Sequence, residues 1–260
     1  MNSCFRLASW IYLNIQLREA FMSYQMIFKR YELKYLITKE QKNLILREMM
    51  QYMSPDKYGR STIRNIYYDT DNYRLIRHSI EKPTYKEKLR VRSYKQVSQD
   101  EPVFIELKKK YQSVVYKRRI GVSEKDAMLY LGTGLPLVMQ SQITDELDYF
   151  CEYYQTLRPR VFLSYDREAY YDKEDSDFRV TFDENIRWRE SDLSLCSGIY
   201  GNALLPQNHS LMEIKTGGGI PLWMAHLLSS RKIFKTSFSK YGSAYQEILT
   251  TKNNGGILYA

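Results

Sequence analysis

Eight runs of the chain alternate apolar and polar residues with a period of two, and each is rich in β-branched and aromatic residues. Successive side chains of a strand point to opposite faces, so this period predicts eight β-strands. Short, turn-rich segments join several of the runs, which favours antiparallel pairing. The runs cover residues 27–37, 62–69, 84–95, 102–111, 113–121, 160–172, 177–187 and 209–216.

Five other segments carry helix signals. Thr38 and Gln41 form a capping-box pattern, and Pro221 suits the first turn of a helix. The apolar faces of these helices need a partner, and the apolar faces of the strands supply one. The segments lie at residues 38–53, 123–131, 141–157, 221–231 and 239–249.

The polar faces of the predicted strands carry charge instead of neutral polar groups. Glu32 and Lys34 share one face of the first strand, and Lys88, Arg90 and Arg92 share one face of the third. About eight strands are needed to close around an interior that can hold side chains or one small ligand. The sequence therefore predicts an α+β fold, an antiparallel eight-stranded β-barrel (a tunnel) with a charged lumen and helices packed outside.

Composition narrows the range of partners. Among 260 residues, 39 lysines and arginines stand against 30 aspartates and glutamates, a formal net charge of +9. This balance favours anionic partners, which include nucleic acids, phosphates and acidic membrane surfaces. The three cysteines have no Cys-x-x-Cys spacing, so neither a disulfide scaffold nor a zinc site is supported. A reducing, cytoplasmic compartment fits this cysteine usage.

The chain has no linker long enough to divide it, and residues 24–250 are predicted to form one domain. Residues 1–23 are predicted to be a leader outside the fold, because their apolar patch is too short for a membrane span and too interrupted for a signal peptide. The alternative is a small amphipathic helix that docks on a partner or a membrane. Residues 251–260 are predicted to be a flexible tail.

Three glutamates lie on the cationic faces, each two residues before a lysine: Glu32, Glu106 and Glu213. Carboxylates inside an anion site suit Mg²⁺ or Mn²⁺, which bridge protein carboxylates and substrate phosphates. The other interpretation is that each glutamate only neutralises the lysine that follows it. Single-stranded nucleic acid is a weaker hypothesis, because the aromatic residues mostly occupy the face opposite the cations.

Eight short motifs follow one another in an order that resembles a known family. They are RYELKY at 30–35, IYYDT at 66–70, KLRVR at 88–92, FIELK at 104–108, SYDR at 164–167, RVTFD at 179–183, MEIK at 212–215 and FSKY at 238–241. This order resembles that of VTC domains, the polyphosphate polymerase domains of the vacuolar transporter chaperone complex and their bacterial counterparts. Those domains belong to the triphosphate tunnel, or CYTH-like, metalloenzymes. The resemblance covers about residues 26–250.

The resemblance implies a metal-dependent polyphosphate polymerase that transfers the γ-phosphate of ATP to a polyphosphate chain in a basic tunnel. Glu213 is implied as the ligand of Mn²⁺ or Mg²⁺, and Glu32 and Glu106 are further candidates. The implied catalytic residues are Lys34, Arg90, Arg92, Lys108, Arg167 and Lys240. The implied substrate-binding residues are Arg179, Tyr165, Ser239, Lys88, Lys117, Arg119 and Lys215.

The first motif departs from the Glu-x-Glu-x-Lys pattern of the hydrolases in the wider superfamily, because Arg30 replaces the first acid. This departure favours a single essential metal and transfer along a chain. Two alternatives stay open, a triphosphatase of inorganic triphosphate or nucleotides and a non-catalytic sensor of polyphosphate or inositol phosphates. The expected partners are ATP and polyphosphate or triphosphate, with a separate membrane protein if the chain associates with a membrane. No nucleic acid is expected.

Overall fold

The computed structural model describes residues 27–28, 31–112, 114–175 and 177–255. The predicted leader at residues 1–23 lies outside this part of the chain, as does Arg30. Of the predicted tail, residues 251–255 continue the last helix, and residues 256–260 lie outside the described part.

Eleven strands and six helices form within the described residues. The strands are β1 (Ile27–Phe28), β2 (Tyr31–Thr38), β3 (Met53–Pro55), β4 (Ser61–Asp69), β5 (Tyr85–Ser93), β6 (Pro102–Tyr111), β7 (Val114–Ser123), β8 (Arg158–Asp172), β9 (Arg179–Arg189), β10 (Asn202–Ala203) and β11 (His209–Thr216). The helices are α1 (Lys39–Met49), α2 (Arg74–Ile80), α3 (Glu124–Thr133), α4 (Gln142–Tyr154), α5 (Leu222–Ser230) and α6 (Lys240–Gly255). In the described part of the chain, no helix has both the length and the apolar composition required to span a membrane.

All the predicted strands and helices are present, but the run predicted as one strand at residues 27–37 contains two, β1 and β2, and β3, β10 and α2 are additional. α2 lacks a local start signal, because Tyr73 at its N-cap has a φ of 58° and makes no side-chain cap hydrogen bond. Asp69 at the end of β4 caps it instead, accepting from the amides of Leu75 and Ile76 at 2.8 and 3.0 Å. The capping group comes from the preceding strand, so the usual N-cap pattern does not predict this helix.

All strands belong to one antiparallel sheet with the order β1-β7-β6-β5-β4-β8-β9-β11-β2, while β10 pairs with β9 and β3 with β8. The two ends of this path, β1 and β2, are consecutive in the chain. The sheet therefore curves round on itself, although no ladder of described residues joins β1 to β2. Lys108 of β6 comes within 3.5 Å of Glu32 of β2 across the interior. This arrangement confirms the predicted α+β tunnel.

Two apolar clusters cover the outer face of the sheet. One packs α3 and α4 against β5, β6 and β7, and it includes Leu89, Ile105 and Leu147. The other packs α1 and α5 against β2, β9 and β11, and it includes Ile45 and Met212. Burial of these faces fixes which way each strand is turned, because a slip of one residue would expose its whole apolar set. The alternate, charged residues therefore face the interior.

α6 packs on the interior side of the sheet. Its Tyr241 stacks on Tyr67 of β4 at a centroid distance of 4.6 Å and donates a hydrogen bond to Asp69 at 2.9 Å. A third apolar cluster, which includes Tyr165 of β8, surrounds this helix. α6 therefore closes part of the lumen and brings its first residue, Lys240, among the charged side chains.

Candidate active site

Three neighbouring strands place rows of cations on one wall of the tunnel. The register pairs Lys88 with Lys108 across β5 and β6, and Lys108 with Lys117 across β6 and β7. Two residues further along β5, on the same face, Arg90 is paired with Glu106 of β6. Registered partners share one face of a sheet, so these side chains point together into the lumen.

Glu106 is the centre of this wall. Its carboxylate lies 2.7 Å from both Lys117 Nζ and Arg90 Nη2, and the Nε atoms of Arg92 and Arg119 lie at 3.7 and 3.6 Å. Burial acts to raise the pKa of Glu106, but the cations, with Arg92 and Arg90 foremost, hold it well below its ordinary value. Glu106 therefore stays ionised and holds four cations in place.

Neutral groups also hold the guanidinium groups of this wall. Arg90 donates a hydrogen bond to Tyr67 OH at 3.0 Å. Arg92 donates to Asn65 Oδ1 at 3.0 Å and to Tyr165 OH at 3.3 Å. A guanidinium fixed in this way loses less conformational freedom when it binds an anion. Asn65 and Tyr67 were not predicted from the sequence, and what identifies them is their register on β4 opposite Arg92 and Arg90 of β5.

The opposite wall is formed by β2, β11 and β9. Glu213 of β11 is the registered partner of Lys34 on β2. The Lys34 ammonium lies 3.6 Å from Glu213 Oε1 and 3.2 Å from Glu32 Oε1, so one cation bridges two carboxylates. The ammonium of Lys108, which reaches Glu32 from the first wall, is the main cause of the lowered pKa of Glu32.

Asp183 of β9 belongs to this wall, although the sequence analysis did not select it as a site residue. Its fully buried carboxylate accepts hydrogen bonds from Arg167 at 2.6 and 2.7 Å and lies 2.5 Å from Lys240 Nζ. Arg167 and Lys240 also reach Glu213, each at 3.1 Å. Burial acts to raise the pKa of Glu213, but Lys240 and Arg167 hold it well below its ordinary value. Two carboxylates and two cations thus form one buried ionic network.

The segment that precedes α6 enters the lumen between the two walls. Thr236 pairs with Lys34 in an isolated antiparallel bridge, and Lys34 Nζ donates to the carbonyl oxygen of Phe238 at 3.1 Å. Ser239 Oγ accepts a hydrogen bond from Lys88 Nζ at 3.3 Å. Each wall therefore contacts this segment through one lysine, Lys88 from the first wall and Lys34 from the second.

Lys88 and Lys215 have no carboxylate within ion-pair distance among the residues that the structure describes. Burial, together with repulsion from Lys108 and Lys34, lowers the pKa of Lys88 to about 7. Burial lowers the pKa of Lys215, the registered partner of Arg179, to about 8. An anionic ligand would supply the counter-charge that these ammonium groups lack.

A divalent cation fits the chemistry of the lumen through Glu213 and Glu32. Both carboxylates are held by Lys34, and hard oxygen donors are the ligands that Mg²⁺ and Mn²⁺ prefer. No group of three or more His, Cys, Asp or Glu side chains that could hold a metal occurs in the described part of the chain. Mg²⁺ commonly takes one or two carboxylates and completes its shell with substrate phosphates and water. Glu106 is left out of the proposed ligands because the cations around it contact neither Glu32 nor Glu213, whereas Lys34 brings those two carboxylates together.

The VTC domain family model matches residues 29–249 of this chain. A comparison with curated protein sequences gave no match. Among solved structures, a candidate adenylate cyclase from Bacillus halodurans superposes with a TM-score of 0.52 at 17% identity, over 83% of this chain and 96% of that one. A candidate adenylyl cyclase from Hippeastrum, described as having a dominant triphosphatase activity, gives a TM-score of 0.49 at 15% identity over 84% and 93% of the two chains. The first of these similarities supports the fold alone.

Proposed function

Because this chain belongs to the VTC domain family, we propose that it is a metal-dependent polyphosphate polymerase. The γ-phosphate of ATP is transferred to a polyphosphate chain inside the tunnel, with Mg²⁺ or Mn²⁺ as the cofactor. The observation that carries this proposal is the lumen itself, where cations of two walls face each other. Lys108 of one wall and Lys34 of the other are both ion-paired with Glu32, which sets the distance between the walls.

The first wall is proposed to bind the polyphosphate chain. Lys88, Arg90 and Arg92 recur every second residue of β5, at a spacing of about 6.6–7 Å, so successive cations can meet successive parts of a linear polyanion. Arginine suits paired contacts with phosphate oxygens, and lysine acts as a point charge. Glu106 and Tyr67 orient Arg90 before any ligand arrives, which lowers the entropic cost of binding.

The second wall is proposed to hold the phosphoryl group that is transferred. Phosphoryl transfer asks little covalent chemistry of a protein, so catalysis rests on positioning and on stabilisation of developing charge. Lys34, Arg167 and Lys240 converge on Glu213 and supply that positive charge. A divalent cation held by Glu213 and Glu32 would add to it as a Lewis acid. α6 packs on the interior side of the sheet, where it would keep water from the phosphoryl group and so favour transfer to phosphate over hydrolysis.

Product analysis tests the proposal. The full chain is incubated with ATP, Mn²⁺ and a short polyphosphate, and the expected products are ADP and polyphosphate longer than the primer. Orthophosphate as the sole phosphate product would contradict transfer and identify a triphosphatase. Tight polyanion binding without turnover under any divalent metal would identify a sensor.

Two adjacent lysines of β6 provide matched variants for this assay. Lys108 faces the lumen, whereas Lys109 lies on the outer face and pairs with Glu146 of α4 at 3.4 Å. Lys108→Met should reduce chain extension by about tenfold or more, on the scale of one charge-assisted contact to the substrate. Lys109→Met should retain extension. Equal effects of the two variants would count against the lumen as the reaction site.

A further inference from the structure

A buried pair of arginines lies on the outer face of the sheet, away from the tunnel. Arg64 of β4 is 5% exposed and Arg189 of β9 is 4% exposed. Both donate to backbone carbonyls of the segment 190–201. Arg64 donates to Ser197 O at 2.6 Å, and Arg189 donates to Gly198 O at 3.3 Å. The two guanidinium groups thus donate to adjacent residues of one segment.

The counter-charge at this pair is incomplete. Arg64 Nη2 donates to the neutral Gln96 Oε1 at 3.4 Å. Asp192, 3.5 Å from Arg189 Nη2, is the one acid within ion-pair distance of either guanidinium among the described residues, and its side chain is 39% exposed. The remaining acceptors of Arg189 are the carbonyl oxygens of Ser191, Asp192 and Tyr200. Of the two buried positive charges, Arg189 therefore has one partly exposed carboxylate and Arg64 has none within ion-pair distance among the described residues.

Three buried polar atoms of these residues have no hydrogen bond in the described part of the chain: Arg64 Nε, Ser164 Oγ and Arg189 Nη2, whose contact with Asp192 at 3.5 Å is an ion pair without a hydrogen bond. Ser164 of β8 is the registered partner of Arg64. Phe162, two residues earlier on the same face, is the registered partner of Arg189, whose guanidinium lies 3.6 Å from the Phe162 ring centroid. The register of three adjacent strands thus places all three donors on one face of the sheet.

We propose that Arg64, Arg189 and Ser164 form a binding site for a small inorganic anion of halide size, such as chloride. One bound anion supplies both the missing counter-charge and the missing acceptor, which removes two separate costs of burial. Each guanidinium has one nitrogen atom without a hydrogen bond. The pairs of nitrogen atoms with which arginine binds phosphate are therefore already engaged by protein acceptors. Three single donors suit a monatomic anion better. Burial and the neighbouring Arg189 lower the pKa of Arg64, as expected for a guanidinium short of counter-charge.

The anion would hold Arg64 and Arg189 in place, and these two residues donate hydrogen bonds to the segment 190–201. It should therefore stabilise the folded protein, and thermal unfolding is the first test. The full chain is melted in sodium chloride and in sodium gluconate at equal ionic strength, since gluconate is too large for a buried monatomic site. We expect a midpoint higher by about 2 °C or more in chloride. Equal midpoints in the two salts would overturn the proposal.

Ser164→Ala gives a sharper test, because its expected effect on stability differs between the two salts. In gluconate the variant removes a buried hydroxyl that has no partner, so it should be as stable as the wild type or more stable. In chloride it removes a donor to the anion, so the increment from chloride should shrink by at least half. A variant that keeps the full increment would contradict the site.

Thr181→Val is the matched control, because Thr181 Oγ1 is also a buried hydroxyl without a partner in the described residues but lies opposite Glu213 in the lumen. This variant should keep the chloride increment. Loss of the increment in Thr181→Val instead of Ser164→Ala would place the chloride effect in the tunnel and overturn the proposal. Crystals grown with sodium bromide should show an anomalous peak between Arg64 and Arg189, and no peak there would exclude the site.

Discussion

The ammonium of Lys240, at the first residue of α6, lies 3.1 Å from Glu213 Oε1 on β11. The helix that closes part of the lumen is therefore ion-paired with the strand that carries the proposed metal ligand. The ammonium of Lys34 approaches the same oxygen to 3.6 Å. A divalent cation at Glu213 would compete with both ammonium groups for this oxygen.

Glu213→Gln should separate metal dependence from anion binding. The change keeps shape but removes the charge, so metal-dependent turnover should fall by at least about two orders of magnitude, on the scale of losing one electrostatic stabiliser. Affinity for pyrophosphate without metal should persist or rise, because a negative charge leaves a cationic lumen. Turnover is measured against Mn²⁺ concentration, beside metal-free pyrophosphate binding.

A matched control for this variant lies outside the lumen. Glu168 pairs with Lys42 at 3.3 Å and with Arg60 at 3.2 Å, so Glu168→Gln removes a similarly paired carboxylate. Its metal dependence should match that of the wild type. Wild-type metal-dependent turnover in Glu213→Gln would remove Glu213 from the proposed ligands.

Glu106→Gln should act on the fold instead of the metal. The variant leaves four cations without their shared carboxylate, and breaking a buried ion pair of this kind costs about 3–5 kcal/mol. We expect a lower free energy of unfolding that added triphosphate partly restores, together with an unchanged Mn²⁺ concentration for half-maximal turnover. A large shift in that concentration would return Glu106 to the metal ligands.

Lys88 should make polyanion binding depend on pH. Its pKa in the folded protein is about 7, below that of an ordinary lysine, so above pH 7 the folded protein has largely lost this proton while the unfolded chain keeps it. Stability without ligand therefore gains from Lys88 as pH rises from about 7 towards 10, because the unfolded state binds more protons. Affinity for triphosphate should fall over the same pH range, because the ligand binds the charged form of the ammonium group.

The test compares triphosphate affinity between about pH 6.5 and 9 in the wild type and in Lys88→Met. If Lys88 takes up one proton when triphosphate binds, this group can change the affinity by at most about tenfold per pH unit. Titration of triphosphate itself is the same for both proteins, so the difference between the two slopes isolates Lys88. Parallel slopes would mean that Lys88 does not contact the bound polyanion.

Linear polyanions should stabilise the protein by relieving repulsion between the walls. At ligand near 100 times its dissociation constant the gain is about 2.7 kcal/mol, or several degrees in melting temperature. Lys215→Met should leave the unliganded protein as stable or more stable, because it removes a half-buried ammonium whose pKa is lowered, and it should reduce the shift with triphosphate. No shift of the wild type at low salt would argue against an anion-binding lumen.

The alternation of apolar and charged residues is by itself enough to determine the strands and the composition of the lumen. On β5, Leu89 and Val91 pack in the outer core while Arg90 and Arg92 face inward. This outcome follows from the chain alone, because a strand sends alternate side chains to opposite faces and burial of the apolar set leaves one orientation.

The roles of individual carboxylates depended on the tertiary structure. Glu106, Glu213 and Glu32 share the same local pattern of Glu-x-Lys, yet Glu106 is surrounded by cations of β5 and β7, whereas Glu213 joins Asp183 through Arg167 and Lys240. Strand register and the return of α6 into the lumen decide these neighbours. Both are set by packing between segments far apart in the chain, and a local sequence pattern holds no information about which distant side chain will supply the counter-charge.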